Sequence, residues 1–450
     1  MLKKNGIYTV TIEDIGHKGE GIGKVKGIPL FIQGGLPGDE LKVEITKLKK
    51  NYGFAKLLEI QKPSDKRVIP RCPLAEVCGG CQIMSLDYSA QLNIKTERVE
   101  ETLKRIGKID APVHETIGME EPFHYRNKAQ FPIGMEKGTP IMGFFKTGTH
   151  EIVNTEHCYI QHPVNDVLTT IVKEHISKYS LTVYDEKRRK GLFRHMVSRI
   201  SYKTGEVMVI FVINGKELPF KEELIDTLKK DVKNLSTVVQ NINTKNTNVI
   251  FGEKTTTLYG KGFIVDQIKD LSFYISPRSF FQVNPLQTRV LYEKALDYAN
   301  LTGEETVFDL YCGIGSISLF LAQKAKKVYG IEIVRDAIED AKKNAELNNF
   351  TNTEFLLGAA EEVVPKLYQK GITADVVVVD PPRKGCEEIV LETMVKMDPE
   401  KIVYVSCNPS TLARDLAYLE ENGYQTREVQ PVDLFPHSAH IETIVLLTKK

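Results

Sequence analysis

Thr306-Val-Phe-Asp-Leu-Tyr311-Cys-Gly313-Ile-Gly315-Ser-Ile-Ser318 is the stretch whose reading decides the fold. β-favouring residues run into a Gly-x-Gly turn and then a helix start, and glycines there let the backbone approach a ligand closely. A second strand, Val328-Tyr-Gly-Ile-Glu332-Ile, carries an acid about twenty residues further on, placed to hydrogen-bond ribose hydroxyls. From Glu305 to the end, strand and helix patterns alternate, the signature of a parallel sheet flanked by helices. Ser318 stands where the third glycine of a dinucleotide fingerprint would fall, so no pyrophosphate cradle is expected. An adenosine cofactor without a pyrophosphate, S-adenosylmethionine, suits that pattern. Thr353 to Leu357 and then Gly358-Ala-Ala-Glu361 read as the next strand and loop, beside the adenine.

Two more strand ends carry reactive groups, which gather at the C-terminal tips of such sheets. Ala374 to Asp380 is an apolar run ending in Asp380-Pro-Pro-Arg383, where two prolines stiffen the loop. Val403-Tyr-Val-Ser-Cys407-Asn-Pro places a thiol at a strand tip beside a following helix N-terminus, where its pKa can fall and its thiolate can act. The alternative for Cys407 is a small buried core residue. Upstream, Ile275-Ser-Pro-Arg-Ser-Phe-Phe-Gln282-Val-Asn284-Pro leads into a helix over 285–300 with Pro at its first turn.

At 450 residues the chain is too long for one ordinary core. With 42% hydrophobic and 26% charged residues it reads as globular, and no apolar run approaches a membrane span. The N-terminus has no secretory apolar core, so a cytoplasmic protein is expected. Strands are expected over 7–12, 28–33, 39–47 and 53–60, with the Gly19–Gly23 run as a turn between the first two. That pattern suggests a small closed barrel of the oligonucleotide-binding kind. Twelve Lys against eight acids over residues 1–66, together with Tyr52 and Phe54, suit nucleic-acid contact and stacking; a spacer barrel is the alternative.

Pro63 to Pro70 reads as a linker into Cys72-Pro-Leu-Ala-Glu-Val-Cys78-Gly-Gly-Cys81. Three thiols within ten residues can converge on one metal centre, with Cys158 as the leading fourth ligand and His157 or His162 as substitutes. Four thiolates suit a structural zinc or an iron–sulfur cluster, and unligated thiols in a buried loop are the remaining option. Residues 86–106 should form an amphipathic helix, and 217–230 another. Residues 122–180 read as strand-like runs alternating with turns, and Tyr125-Arg126-Asn127-Lys128 as an RNA-contacting loop. The middle of the chain is therefore α+β.

Asp380-Pro-Pro-Arg383, Ser406-Cys407-Asn-Pro409 and the terminal His440-Ile-Glu442-Thr-Ile-Val445 together resemble the RNA uracil-C5 methyltransferase family, and the likeness extends over nearly the whole chain. The barrel is similar to a TRAM domain, and the Cys72, Cys78, Cys81 and Cys158 set resembles that of the cluster-bearing 23S ribosomal RNA enzymes. The resemblance implies Cys407 as nucleophile, Glu442 as general base, and Gln282, Tyr311, Glu332 and Asp380 as cofactor contacts. It implies a [4Fe–4S] cluster on the four cysteines, with zinc still open. Without it, Glu442 reads as a charged residue ending an edge strand. Cys312 and Cys386 are expected to be structural, and His437 and His440 satisfied histidines.

The expected architecture is a multidomain α/β protein. A TRAM/OB-like barrel covers 1–62, and a central α+β domain with the cysteine set covers 63–265. A Rossmann-like S-adenosylmethionine-dependent methyltransferase covers 266–450, with the helix near 86–110 packing on it. The expected function is methylation of C5 of a single-stranded or flipped-out uridine in 23S ribosomal RNA by a monomer. The rivals are a transfer-RNA uracil methyltransferase, an exocyclic-amine methyltransferase, and a non-catalytic RNA-binding or chaperone protein.

Overall fold

A computed structural model describes residues 2–450. The chain forms three principal sheets. The first has six strands, in the order Ile7–Thr11, Glu40–Leu48, Gly53–Lys62, Ile28–Ile32, Gly21–Val25 and Asp14–Ile15. It curls around Val10, Ile12, Leu30, Ile32, Leu41, Val43 and Ile45. The Glu13 N–H donates to the Ile22 carbonyl, which brings the first strand against Gly21–Val25.

Gly21–Val25 is a strand where a turn was expected. Its glycines permit a packing no side chain would: a Cβ on Gly23 would lie 2.2 Å from the Thr11 carbonyl oxygen, and one on Gly21 2.6 Å from that of Gly35. Buried Asp39 fastens this sheet to the linker, accepting from Ser64 N–H and from Arg67 Nε at 2.8 Å and Nη2 at 2.7 Å.

The central sheet has seven strands and is backed by two helices, Val164–Lys178 and Lys221–Asp231. The first helix falls where strand-like runs and turns were expected. Leu168, Ile171, Val172, His175 and Ile176 form its buried face at helical spacing, although β-branched Thr and Ile in the same window favour a strand locally.

The third sheet runs Thr353–Leu357, Lys327–Glu332, Thr306–Leu310, Val376–Val379, Lys401–Ser406, Glu442–Lys449, Tyr424–Val432. The first five strands are parallel, so the tips of Thr306–Leu310, Lys327–Glu332, Val376–Val379 and Lys401–Ser406 share one edge. The last strand is not an edge strand. It inserts antiparallel between Lys401–Ser406 and Tyr424–Val432, pairing Ser406 with Thr443 and Val432 with Glu442. Glu442 therefore starts its strand beside Cys407, at the same edge as the parallel tips.

The Tyr88–Thr102 helix is capped by Asp87 and continues as a π-turn over Leu103–Gly107. Val99, Leu103 and Ile109 pack with Leu412, Ala413 and Leu416 of the Pro409–Glu421 helix, burying this helix against the third sheet's layer. Lys95 on it is 2% exposed, and its Nζ lies 2.6 Å from Oδ1 of fully buried Asp433. The Tyr88 hydroxyl donates to Asp433 Oδ2 at 3.0 Å. Removing one member of such a pair strands the other charge. Lys95→Met should cost roughly 3–5 kcal/mol in urea unfolding, and Asp433→Asn in that background should recover part of the loss.

Candidate active site

One cavity of about 940 Å³ opens at the sheet edge where the parallel tips and Glu442 meet. Cys407, Glu442, Gln282, Tyr311, Glu332 and Asp380 line it, as do Cys72, Cys78, Cys81 and Cys158. All ten residues singled out from sequence thus face one space, together with Arg126, Lys128, Arg383 and His440.

Each is placed by local chain chemistry. Cys407 follows the last residue of its strand, and Asn408 caps the next helix through Ser410 N–H, with Pro409 at its first turn. Asn408 Nδ2 also donates to the Arg383 carbonyl at 2.9 Å, tying the thiol's loop to the Asp380–Arg383 loop. Tyr311 is left-handed at φ 69°, and its N–H and that of Cys312 donate to the Ile331 carbonyl. A non-glycine residue holds that conformation only where its surroundings impose it, as at ligand clamps. At Gly313, with φ 55°, a Cβ would meet nothing within 4 Å, so the turn is open toward the cavity.

Glu332 is held at its strand tip by accepting from Gly313 N–H at 3.2 Å and Val334 N–H at 2.8 Å. Ile333 beside it is 65% exposed and supplies an apolar wall. The loop bearing Gln282 is held from the central sheet: Asn127 N–H donates to the Val283 carbonyl and Asn127 Nδ2 to that of Gln282. Glycine turn, oriented acid, apolar wall and buried amide together fit an adenosine without phosphates.

Burial governs the electrostatics. It raises the carboxyl groups of Asp380 and Glu442 above their ordinary range, with the charge of Asp380 raising Glu442 further and Arg383 opposing. Asp309 is also buried and pushed up to about 7, and its Oδ1 has no hydrogen-bond partner. Sequence reading passed over Asp309, although one acid inside the apolar run Val-Phe-Asp-Leu was the available signal. Burial, then Glu442 and Asp380, push the Cys407 thiol up to about 11. A lowered value was expected; desolvation and two carboxylates outweigh Arg383 and the adjacent helix N-terminus. Burial and Arg383 push His440 down to about 4, so it is neutral at pH 7.

Elsewhere in the lining, Cys72, Cys81 and Cys158 pack with Met84, Tyr125 and Ile160, and all four thiols of the set are free. Burial raises Cys78 and Cys81 and pushes Cys158 up to about 11, and the neighbouring thiols add to each shift. Among the described residues, no group of three or more His, Cys, Asp or Glu side chains is placed to hold a metal ion. No helix among them is long and apolar enough to cross a membrane.

Comparison with known proteins shows the family. The family model described as tRNA (Uracil-5-)-methyltransferase matches residues 87–450, and the TRAM domain model matches residues 3–58. An RNA methyltransferase of Bacillus cereus is 53% identical over the whole of this chain and 98% of its own length. One from Clostridium tetani is 52% identical, covering 99% and 97%. Among solved structures, the tRNA (uracil-54, C5)-methyltransferase of Pyrococcus abyssi with S-adenosyl-L-homocysteine matches at a TM-score of 0.80 and 29% identity, over 98% of this chain and 100% of that one. The chain belongs to the tRNA (uracil-5-)-methyltransferase family, RNA methyltransferases with an S-adenosylmethionine-binding fold and an N-terminal TRAM domain.

Proposed function

We propose that this enzyme methylates C5 of uridine in 23S ribosomal RNA, as a cytoplasmic monomer, through a covalent adduct between Cys407 and uracil C6. The observation that carries this reading is the strand register that sets Cys407 beside Glu442 in the cavity shared with Asp380. S-adenosylmethionine, when bound along Gln282, Tyr311, Glu332 and Asp380, supplies an electrophilic methyl group. Uracil C5 is too weak a nucleophile to take it unaided. Attack of the Cys407 thiolate forms an S–C6 bond and sends the C5–C6 π pair into an enolate, whose C5 would take the methyl as the sulfonium S–CH3 bond breaks and the donor leaves as a thioether. The Glu442 carboxylate next removes the C5 proton, the C5–C6 double bond re-forms, and the S–C6 bond breaks to return the thiolate. A raised pKa suits Glu442 to accept that proton. The target base must leave any helical stack to reach the cavity, and Arg126 offers a cationic contact in its lining.

Cys72, Cys78, Cys81 and Cys158 would hold a [4Fe–4S] cluster with a structural role. The donor set is all sulfur and converges on one cavity wall. All four thiols line the one cavity, and a set of sulfur donors would suit an iron–sulfur cluster or a zinc ion. The barrel with the four-cysteine set resembles the ribosomal enzymes and supports that substrate. The full-length match to the Pyrococcus abyssi enzyme favours a second reading, transfer RNA, because that protein shares the architecture over nearly every residue.

Incubation with labelled cofactor should label an unmodified 23S transcript and leave transfer-RNA transcripts unlabelled; the reverse would transfer the mechanism to the second substrate. Glu442→Gln should accumulate a covalent RNA adduct on a denaturing gel, because elimination stalls once the proton cannot leave. Alkylation of Cys407 by iodoacetamide, followed by peptide mass spectrometry, should keep rising past about pH 9, the ordinary thiol value, because a pKa near 11 leaves the thiol protonated below it. A plateau near neutral pH would contradict that field. Anaerobically purified protein should carry about four irons and four sulfides per chain, and Cys81→Ser should lose them; about one zinc would favour the alternative.

A further inference from the structure

The segment between the last two strands, residues 433–441, leads directly into Glu442 and lines the cavity with Phe435, Ser438 and His440. From Phe435 to Ala439, every hydrogen bond it makes outside itself goes to residues 82–125. Lys95 Nζ donates to the Phe435 carbonyl at 3.2 Å, and the Tyr125 hydroxyl to that of Pro436 at 3.1 Å. The Ile83 N–H donates to the His437 carbonyl at 3.1 Å, and the His437 N–H to Gln91 Oε1 at 3.0 Å. Arg98 Nη1 donates to the Ala439 carbonyl at 2.7 Å, and the Ala439 N–H to Gln82 Oε1 at 3.3 Å. His437 sits at φ 68°, a conformation that such over-determined holding sustains.

Gln82 differs from the other contacts. It adjoins Cys81, and its Nε2 donates to the Gly79 carbonyl at 2.7 Å, inside the Cys78-Gly-Gly-Cys81 turn. One side chain thus joins the cysteine loop to the chain three residues ahead of Glu442. Cys407 is placed without a hydrogen bond from the cysteine loop: its strand belongs to the parallel sheet, its loop is tied to Arg383, and the Tyr88–Thr102 helix reaches it only by packing on the Pro409–Glu421 helix.

We propose that Gln82 is a positioning residue for Glu442, through which the cysteine loop sets the placement of the base but not of the nucleophile. The inference rests on the uracil-C5 reading and adds a division of labour to it. Adduct formation and methyl transfer draw on the sheet, whereas proton removal draws on the sheet and on the cysteine-bearing region together. A misplacement of about 1 Å at a proton acceptor costs on the order of a hundred-fold, so small shifts of this segment would be visible in turnover.

The test uses full-length enzyme with 23S and transfer-RNA transcripts made with uridine or with 5-fluorouridine, whose fluorine cannot be removed as a proton. Fluorinated RNA therefore reports attack and methyl transfer alone. Gln82→Ala should trap fluorinated RNA at the wild-type rate, turn over ordinary RNA on the order of ten- to a hundred-fold more slowly, and accumulate its covalent adduct. Gln82→Glu, which keeps the acceptor for Ala439 but loses the donor to the Gly79 carbonyl, should recover only part of the turnover. Arg98→Met, which holds the same segment from the Tyr88–Thr102 helix, should repeat the pattern with the cysteine loop untouched. Proportional loss of trapping and turnover in both variants, or loss of neither, would overturn the proposal. Failure of the wild type to trap any fluorinated RNA would instead overturn the uracil-C5 reading, and this inference with it.

Discussion

The antiparallel insertion of Glu442–Lys449 between Lys401–Ser406 and Tyr424–Val432 is the constraint on which the site depends. Cys407 and Glu442 are distant in sequence, and only the pairing of Ser406 with Thr443 makes them neighbours. A slip of one residue would turn the strand's side chains to the opposite face and carry Glu442 out of the cavity. The register is specified because both faces are covered: Ile444, Val445 and Leu447 are fully buried. Packing energy spent across the whole strand thus fixes one carboxylate at the edge where the parallel strands end.

That edge concentrates charge in a buried space. Asp309, Asp380 and Glu442 are all raised by burial, and Glu442 and Asp380 in turn raise Cys407. The resting thiol is therefore protonated, and nothing in contact with it acts as a strong cationic activator beyond Arg383. A cationic methyl donor entering this field would be stabilised by the carboxylates and would lessen their effect on the thiol. Arg126 and Lys128 also line the cavity, and burial beside Arg199 and Arg126 holds Lys128 down to about 7.

How much of this was legible in the sequence follows from the range of each interaction. The parallel half of the sheet reads directly, because Val-rich runs such as Ala374–Val379 and the Gly313–Gly315 turn are local signals. The helix over Pro285–Ala299 was readable from its proline start. The strand over Gly21–Val25 was not, since its glycines serve close approach to Thr11 and Gly35 rather than a turn. The inserted last strand, the Val164–Lys178 helix and the raised Cys407 pKa all depend on tertiary neighbours that no window of sequence contains. The same holds for the ties from Gln82, Lys95 and Arg98 to residues 433–439, whose partners lie at opposite ends of the chain. The roles of Cys407 and Glu442 came from motif resemblance, and the structure contributes their adjacency.

The most direct measurement is nucleoside mass spectrometry of ribosomal RNA after reaction with wild type and with Cys407→Ala. The account predicts 5-methyluridine from the wild type and no methylated nucleoside from the variant. A methylated amine on another base, or 5-methyluridine still formed without the thiol, would contradict it.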